Sequence, residues 1–237
     1  MKLIKVNDYE AMSKKAVEML ADVVNNGRKP VLGLATGSTP KRMYEILIER
    51  YQNKDLCFED VISFNLDEYV GLGPDHCESY QSYMNEQLFE QIDILKQNAH
   101  IPSGVAECLQ TECDTYEKQI ADAGGIDFLV LGIGENGHIG FNEPGTLFDS
   151  RTHVVDLTAS TRQENARFFE SIEDVPKQAL TMGLATIMDA KEIILLVQGE
   201  RKLEILKEVL YGEVTEEVPA SILQKHPKVT VITDLDV

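Results

Sequence analysis

Short apolar runs, separated by amphipathic stretches of helical length, recur along the whole chain. They occupy residues 31–35, 61–65, 126–134, 192–197 and 229–233. Strands that are apolar on both faces are typical of parallel sheets covered by helices on either side. The pattern therefore predicts a three-layer, Rossmann-like α/β fold with a mostly parallel central sheet.

Further local signals complete this reading. A short strand is predicted at residues 3–6, followed by a helix that Asn7 or Asp8 caps, and another helix begins near Lys41. Amphipathic helices are predicted at residues 80–92 and 111–123. No repeat, low-complexity tract or linker interrupts the chain, so we expect residues 1–237 to form a single catalytic domain.

The charge balance restricts the partners. Forty acidic residues against 22 Lys and Arg give a net charge of -18, which argues against nucleic acid or an anionic membrane as a partner. No segment resembles a signal peptide or a membrane span, so we expect a cytoplasmic protein. The four cysteines form no CxxC pair and are read as free thiols, and Cys108 and Cys113 have no histidine at ligand spacing that would favour a metal site.

The first polar strand end reads TGSTP, directly after a buried strand and before a helix. Its members are Thr36, Gly37, Ser38, Thr39 and Pro40. Amides and hydroxyls at a helix N-terminus form an anion site, and without a Gly-Lys-Ser/Thr continuation a phosphate monoester fits better than a nucleoside triphosphate. The alternative is a well-capped turn with no ligand.

The second polar strand end reads FNLDEY. Asp67 and Glu68 are adjacent just past the strand end, so we expect only one of them to face a cleft at the carboxyl edge of the sheet. A carboxylate there could act as a general base. The alternative is an ordinary pair of helix-capping acids.

The third polar strand end reads GIGENGHIGFNEP and contains the spacing of a dinucleotide-binding loop. Gly140 and Pro144 interrupt the helix that such a loop requires, which argues against a dinucleotide. We read the glycines as tight-turn residues that present His138 for proton transfer, with Asn136 nearby and the Glu143 carboxylate bonded to a ring nitrogen. The alternative is a structural histidine.

Together these three motifs closely resemble those of glucosamine-6-phosphate deaminases, and the chain looks like a short bacterial member of that family. The likeness continues in SRT, NARFF, ALTMG and ASILQKHP, so it covers essentially the whole chain. The resemblance implies a cofactor-independent conversion of glucosamine 6-phosphate and water to fructose 6-phosphate and ammonia.

The resemblance also implies the roles of individual residues. Asp67 would move a proton between C2 and C1, and His138, assisted by Glu143, would open the sugar ring. Arg167 and Lys202 would hold the phosphate together with the loop formed by Gly37, Ser38 and Thr39. An arginine fork and helix-terminal amides are the donors expected for a phosphate dianion.

Two features depart from parts of that family. Asn136 stands where many members have aspartate, and the segment after SRT reads HVVDL, without the basic residues that bind an activator in longer, hexameric members. We therefore expect a monomer or small homo-oligomer that N-acetylglucosamine 6-phosphate does not activate. A 6-phosphogluconolactonase and a sugar-phosphate sensor are the alternatives, and DEY, FNEP and the complete acid–base set favour the deaminase over both.

Overall fold

The computed structural model describes residues 1–163 and 165–237. The helices are α1 (Tyr9–Asn26), α2 (Lys41–Gln52), α3 (Tyr80–Gln87), α4 (Leu109–Asp122), α5 (Ala159–Asn165), α6 (Leu184–Met188) and α7 (Leu203–Tyr211). The strands are β1 (Lys2–Lys5), β2 (Val31–Leu34), β3 (Ile62–Asn65), β4 (Asp67–Tyr69), β5 (Ala99–His100), β6 (Phe128–Leu131), β7 (His153–Asp156), β8 (Gln178–Thr181), β9 (Ile193–Val197) and β10 (Val229–Thr233).

Seven strands of the described chain form a parallel sheet in the order β1-β10-β9-β6-β2-β3-β5. From β2 the chain builds outward through β3 and β5, and from β6 it builds in the other direction through β9 and β10. The direction of winding therefore reverses between β2 and β6. In open α/β sheets a ligand crevice forms at such a point, outside the carboxyl ends of the strands.

Helices cover both faces of this sheet. Alternate residues of β9 point to opposite sides, with Ile193 and Leu195 in one apolar cluster and Ile194 and Leu196 in the other. Helices α1 and α2 cover the second cluster, while α4, α6 and α7 cover the first. The predicted three-layer fold with a mostly parallel sheet is confirmed.

A second, antiparallel sheet of three strands, β4-β8-β7, lies beside the cleft and was not predicted. The expectation that Asp67 and Glu68 lie past a strand end is incomplete, because both belong to a strand of their own, β4, which pairs with β8. This pairing fixes the backbone of the DEY motif. It orients the two carboxylates more firmly than a loop would.

The predicted and observed helix boundaries differ slightly, and the cysteines and the apolar content of the helices complete the description. The helix predicted at residues 80–92 ends at Gln87 and is followed by a short 3-10 segment, Phe89–Gln91. Cys113 is buried and the other three cysteines are exposed, all as free thiols. Within the described residues, no helix combines the length and the apolar content needed to cross a membrane.

Candidate active site

A cleft of about 720 Å³ opens at the carboxyl ends of the central strands. The loops after β2 and β6 contribute residues 36–39 and His138, and Asp67 lies just beyond the end of β3. Arg167 and Lys202 line the same cleft from more distant parts of the chain. Asn136 and Glu143 contact His138 from behind, so the structure brings all the candidate site residues together.

Asp67 presents a carboxyl group with no hydrogen-bond donor in reach among the described residues. The residue is 6% exposed and lines the cleft. Burial, reinforced by the neighbouring charge of Glu68, raises the pKa of Asp67 from its ordinary 3.8 to about 8. A buried carboxyl group with this pKa suits proton transfer near neutral pH.

Glu68 is also buried, and burial raises its pKa, but its hydrogen bonding differs from that of Asp67. Its carboxylate accepts hydrogen bonds from the backbone N–H groups of Tyr69 (2.8 Å), Tyr80 (2.9 Å) and Gln81 (2.9 Å). Glu68 therefore fastens the first turn of α3 to β4, and the helix-capping alternative describes this one of the two acids. Adjacent strand residues face opposite sides, which leaves Asp67 to the cleft and gives the two carboxylates different tasks.

His138 contacts Asn136 directly and Glu143 only at longer range. Its Nδ1 lies 2.6 Å from Asn136 Oδ1 but 3.7 Å from Glu143 Oε2. The Glu143 carboxylate therefore lies within ion-pair distance of the ring but makes no direct hydrogen bond to it. In its place the Asn136 side chain lies between the two, since its Nδ2 donates to Glu143 Oε2 at 2.7 Å.

This chain of contacts determines the tautomer of His138. A carboxylate can only accept, so the Asn136 amide nitrogen faces Glu143 and the amide oxygen faces the ring. Nδ1 must then carry a hydrogen, which leaves Nε2 as the ring nitrogen free to exchange a proton with a ligand. Asn136 thus transmits the orientation that Glu143 imposes.

Glu143 is held ionised in a buried position. Burial alone raises the pKa of Glu143, but the interactions with His138, Thr161 and Asn136 outweigh burial and lower it to about 2. The hydroxyl groups of Thr161 and Thr158 both donate to its Oε1. Sequence reasoning missed these two threonines, although their spacing matches the N-cap of α5.

The packing of the His138 ring explains why one position of the GxGxxG spacing, Gly134, is a glycine. A Cβ atom at this position would lie 2.1–2.4 Å from three atoms of the His138 ring. The N–H of Gly134 also donates to the His138 carbonyl group at 2.9 Å, which closes the loop. The glycine makes room for the imidazole, and a dinucleotide is not needed to account for it.

Basic side chains line the cleft together with the TGSTP loop. Arg167 stacks over the Phe168 ring at 4.7 Å from its centroid, and Lys202 lies at the start of α7, after β9. Arg201 is a third lining cation that sequence reasoning missed. These cations and a helix N-terminus offset the strongly negative charge of the chain locally, so an anion can bind here.

Comparisons with known proteins agree with this geometry. The model of a family described as glucosamine-6-phosphate isomerases/6-phosphogluconolactonase matches residues 7–232. A glucosamine-6-phosphate deaminase of Shouchella clausii is 54% identical over 99% of this chain and 95% of its own length. The chain belongs to the glucosamine-6-phosphate deaminase family. The family predicted from the three motifs is thereby confirmed.

Solved structures extend the comparison. A structure described as a monomeric glucosamine-6-phosphate deaminase has a TM-score of 0.97 and 47% identity, covering 98% of this chain and 97% of its own. A 6-phosphogluconolactonase of Thermotoga maritima has a TM-score of 0.77 at 20% identity, with 98% of each chain covered. At that identity the lactonase shares the fold alone.

Proposed function

We propose that this chain converts glucosamine 6-phosphate and water to fructose 6-phosphate and ammonia. One observation carries the proposal: the buried carboxyl group of Asp67, which no described residue pairs, shares a cleft with an oriented His138 and with an anion-binding loop. A sugar phosphate needs each of these groups for isomerisation. The similarity to deaminases over essentially the whole chain supports the same substrate.

His138 opens the pyranose ring. Ring opening requires that the anomeric hydroxyl lose a proton and that the ring oxygen gain one, and a neutral imidazole can perform both transfers through one nitrogen. Nε2 is that nitrogen in this site. Glu143, acting through Asn136, holds the ring in the tautomer that leaves Nε2 free.

Asp67 carries the isomerisation. Its carboxylate takes the proton from C2 of the open-chain amino aldehyde, and the C1 oxygen gains a proton as the enolamine forms. Return of a proton to C1 gives a C2 iminium ion, which adds water and releases ammonia as the ketone forms. Every step is a proton transfer, the addition of water or the loss of ammonia, so acid–base groups provide the chemistry.

The phosphate anchors the substrate at the other end of the cleft. We assign this role to the loop of residues 36–39 together with Arg167 and Lys202, because amides and cations converge there. Remote binding energy of this kind places the reacting carbons against the acid–base groups. Phosphate recognition therefore contributes to kcat/KM through substrate binding and placement.

We further propose that the protein is a cytoplasmic hydrolase that takes part in the breakdown of N-acetylglucosamine and other amino sugars. The whole chain would form one catalytic domain. A monomer or small homo-oligomer fits the absence of Lys and Arg from residues 153–157. The related deaminase described as monomeric also supports it. Saturation kinetics should be hyperbolic and unchanged by N-acetylglucosamine 6-phosphate, and activation by that compound would contradict this part of the proposal.

The test follows both products at once. Purified protein, dialysed against chelator and free of nucleotide, is incubated with glucosamine 6-phosphate while ammonia and fructose 6-phosphate are measured. Equal release of the two is expected. Substrate that binds without reacting would favour a sensor, and hydrolysis of 6-phosphogluconolactone in its place would favour the lactonase.

A further inference from the structure

Three tyrosine hydroxyl groups donate hydrogen bonds to the TGSTP loop or to the residue before it, and one of the three, Tyr83, also lines the cleft. Tyr83 donates to the carbonyl oxygen of Gly37 at 2.6 Å, and Tyr9 donates to that of Ser38 at 2.9 Å. A third, the buried Tyr44, donates to the carbonyl oxygen preceding the loop, that of residue 35, at 2.5 Å. These tyrosines come from α3, α1 and α2 respectively, so three helices hold consecutive parts of one loop.

These contacts determine which way the loop amides point. In a planar trans peptide the carbonyl group and the following N–H point in opposite directions, and the described chain contains no cis peptide. Carbonyl groups fixed towards Tyr83 and Tyr9 therefore direct the N–H groups of Ser38 and Thr39 away from those tyrosines. In the same way, the carbonyl group fixed towards Tyr44 directs the N–H of Thr36 away from that tyrosine.

The loop amides are available to a ligand. Among the described residues, no protein acceptor pairs with the backbone N–H groups of residues 36–39. Gly37 adopts a φ of +92°, and the space where its Cβ would project holds no atom within 4 Å. Unpaired donors beside an open cleft at a helix start are the elements of a phosphate cradle.

Tyr9 also connects the loop to the helix that follows it. Its hydroxyl oxygen accepts the N–H of Arg42 at 3.0 Å while it donates to Ser38. The Arg42 guanidinium group binds Glu10 of α1 at 2.6 Å, as well as Glu45 and Glu49 of its own helix at 3.0 Å. Arg42 is thus committed to joining α1 and α2, which keeps Tyr9 in place.

We propose that Tyr83 and Tyr9 are positioning residues for the substrate phosphate, acting through the peptide orientations of residues 37–39. The inference rests on the proposed function, because it assigns a role within the same phosphate site. Neither hydroxyl needs to touch the ligand. Without them a loop peptide can rotate and present a carbonyl oxygen to the anion in place of an N–H.

The test uses substitutions that remove one oxygen atom each. Tyr83→Phe, Tyr9→Phe and the double variant are compared with Tyr51→Phe, whose ring packs edge-on against Phe58 on the same side of the molecule. Two quantities are measured: KM and kcat for glucosamine 6-phosphate, and the inhibition constant of inorganic phosphate as a competitor. Thermal melting checks that each variant is folded.

We expect KM and the phosphate inhibition constant to rise together, by about three- to tenfold for each single variant, as for the loss of one hydrogen bond. The kcat should stay within about twofold of wild type, and Tyr51→Phe should match wild type throughout. If Tyr83→Phe does not fold, Tyr9→Phe carries the test alone, because Tyr9 lies partly exposed at the start of α1.

Unchanged KM and unchanged phosphate inhibition in active variants would overturn the positioning role and leave the proposed function intact. A fall in kcat with phosphate inhibition unchanged would do the same, because the hydroxyls would then act on the chemistry. Wild-type protein that neither binds inorganic phosphate nor deaminates the sugar would overturn both proposals.

Discussion

Replacing Asp67 with asparagine should remove activity and at the same time stabilise the protein in a pH-dependent way. The folded state keeps a proton on Asp67 up to about pH 8, whereas the unfolded chain loses it near the ordinary pKa of 3.8. Between these values, ionisation opposes folding by about 1.4 kcal/mol per pH unit. The asparagine side chain carries no charge and escapes this cost.

The magnitude follows from the pH interval. From pH 5 to pH 8 the free energy of unfolding of Asp67→Asn, relative to wild type, should increase by about 4 kcal/mol and then level off. Hydrogen bonds that the amide gains or loses contribute an offset that is constant with pH. The slope with pH is therefore the decisive quantity.

Urea unfolding at pH 5, 6, 7, 8 and 9 measures this slope. Asp149→Asn serves as the control, because it removes one negative charge from an exposed position of the same chain. Its stability should run parallel to wild type. A constant difference between the stabilities of Asp67→Asn and wild type across this range would refute the argument that burial keeps Asp67 protonated.

The same pKa predicts a kinetic result. Because the carboxylate form of Asp67 is the base, kcat/KM of wild type should rise with pH up to about 8.

Two further substitutions test the arrangement around the imidazole. Gly134→Ala places a methyl group against the His138 ring. It should lower kcat on the order of 100-fold and leave the inhibition constant of inorganic phosphate unchanged. The control is Gly73→Ala, which lies outside the cleft in open space and should match wild type. A fully active Gly134→Ala would show that the ring position is not critical. Asn136→Asp puts a carboxylate in place of the amide oxygen that contacts the ring, beside Glu143. The added negative charge favours the protonated imidazole, so the step of the acidic limb that depends on His138, seen in kcat/KM below the rise due to Asp67, should move to higher pH. An unmoved limb would count against direct coupling of residue 136 to the imidazole.

The central sheet could be predicted because strands that are buried on both faces consist of consecutive apolar residues. In β9 all five residues are buried, and the sequence there is IILLV. The small antiparallel sheet leaves no such trace, because β4 reads DEY and pairs with residues more than a hundred positions away. Its existence depends on tertiary pairing that local patterns do not encode.

The residues of the candidate site likewise fall into those that the sequence predicts and those that it does not. Asp67 and His138 follow or accompany strand ends, where chemistry is expected in this class of fold. The hydroxyl groups of Tyr9 and Tyr83 reach the loop from 29 and 46 residues away, so no local motif points to them. The partner of the imidazole was assigned to Glu143 on charge, whereas the tight turn places Asn136 closer.

The central claim is that Asp67 moves the proton at C2. Wild type and Asp67→Asn are incubated with glucosamine 6-phosphate in D2O, the C2 proton is followed by NMR, and binding is measured by calorimetry. Wild type should lose the C2 signal as fructose 6-phosphate forms, while Asp67→Asn should bind the sugar and retain the signal. Loss of the C2 proton at the wild-type rate in Asp67→Asn would contradict the account and assign the proton transfer to another group.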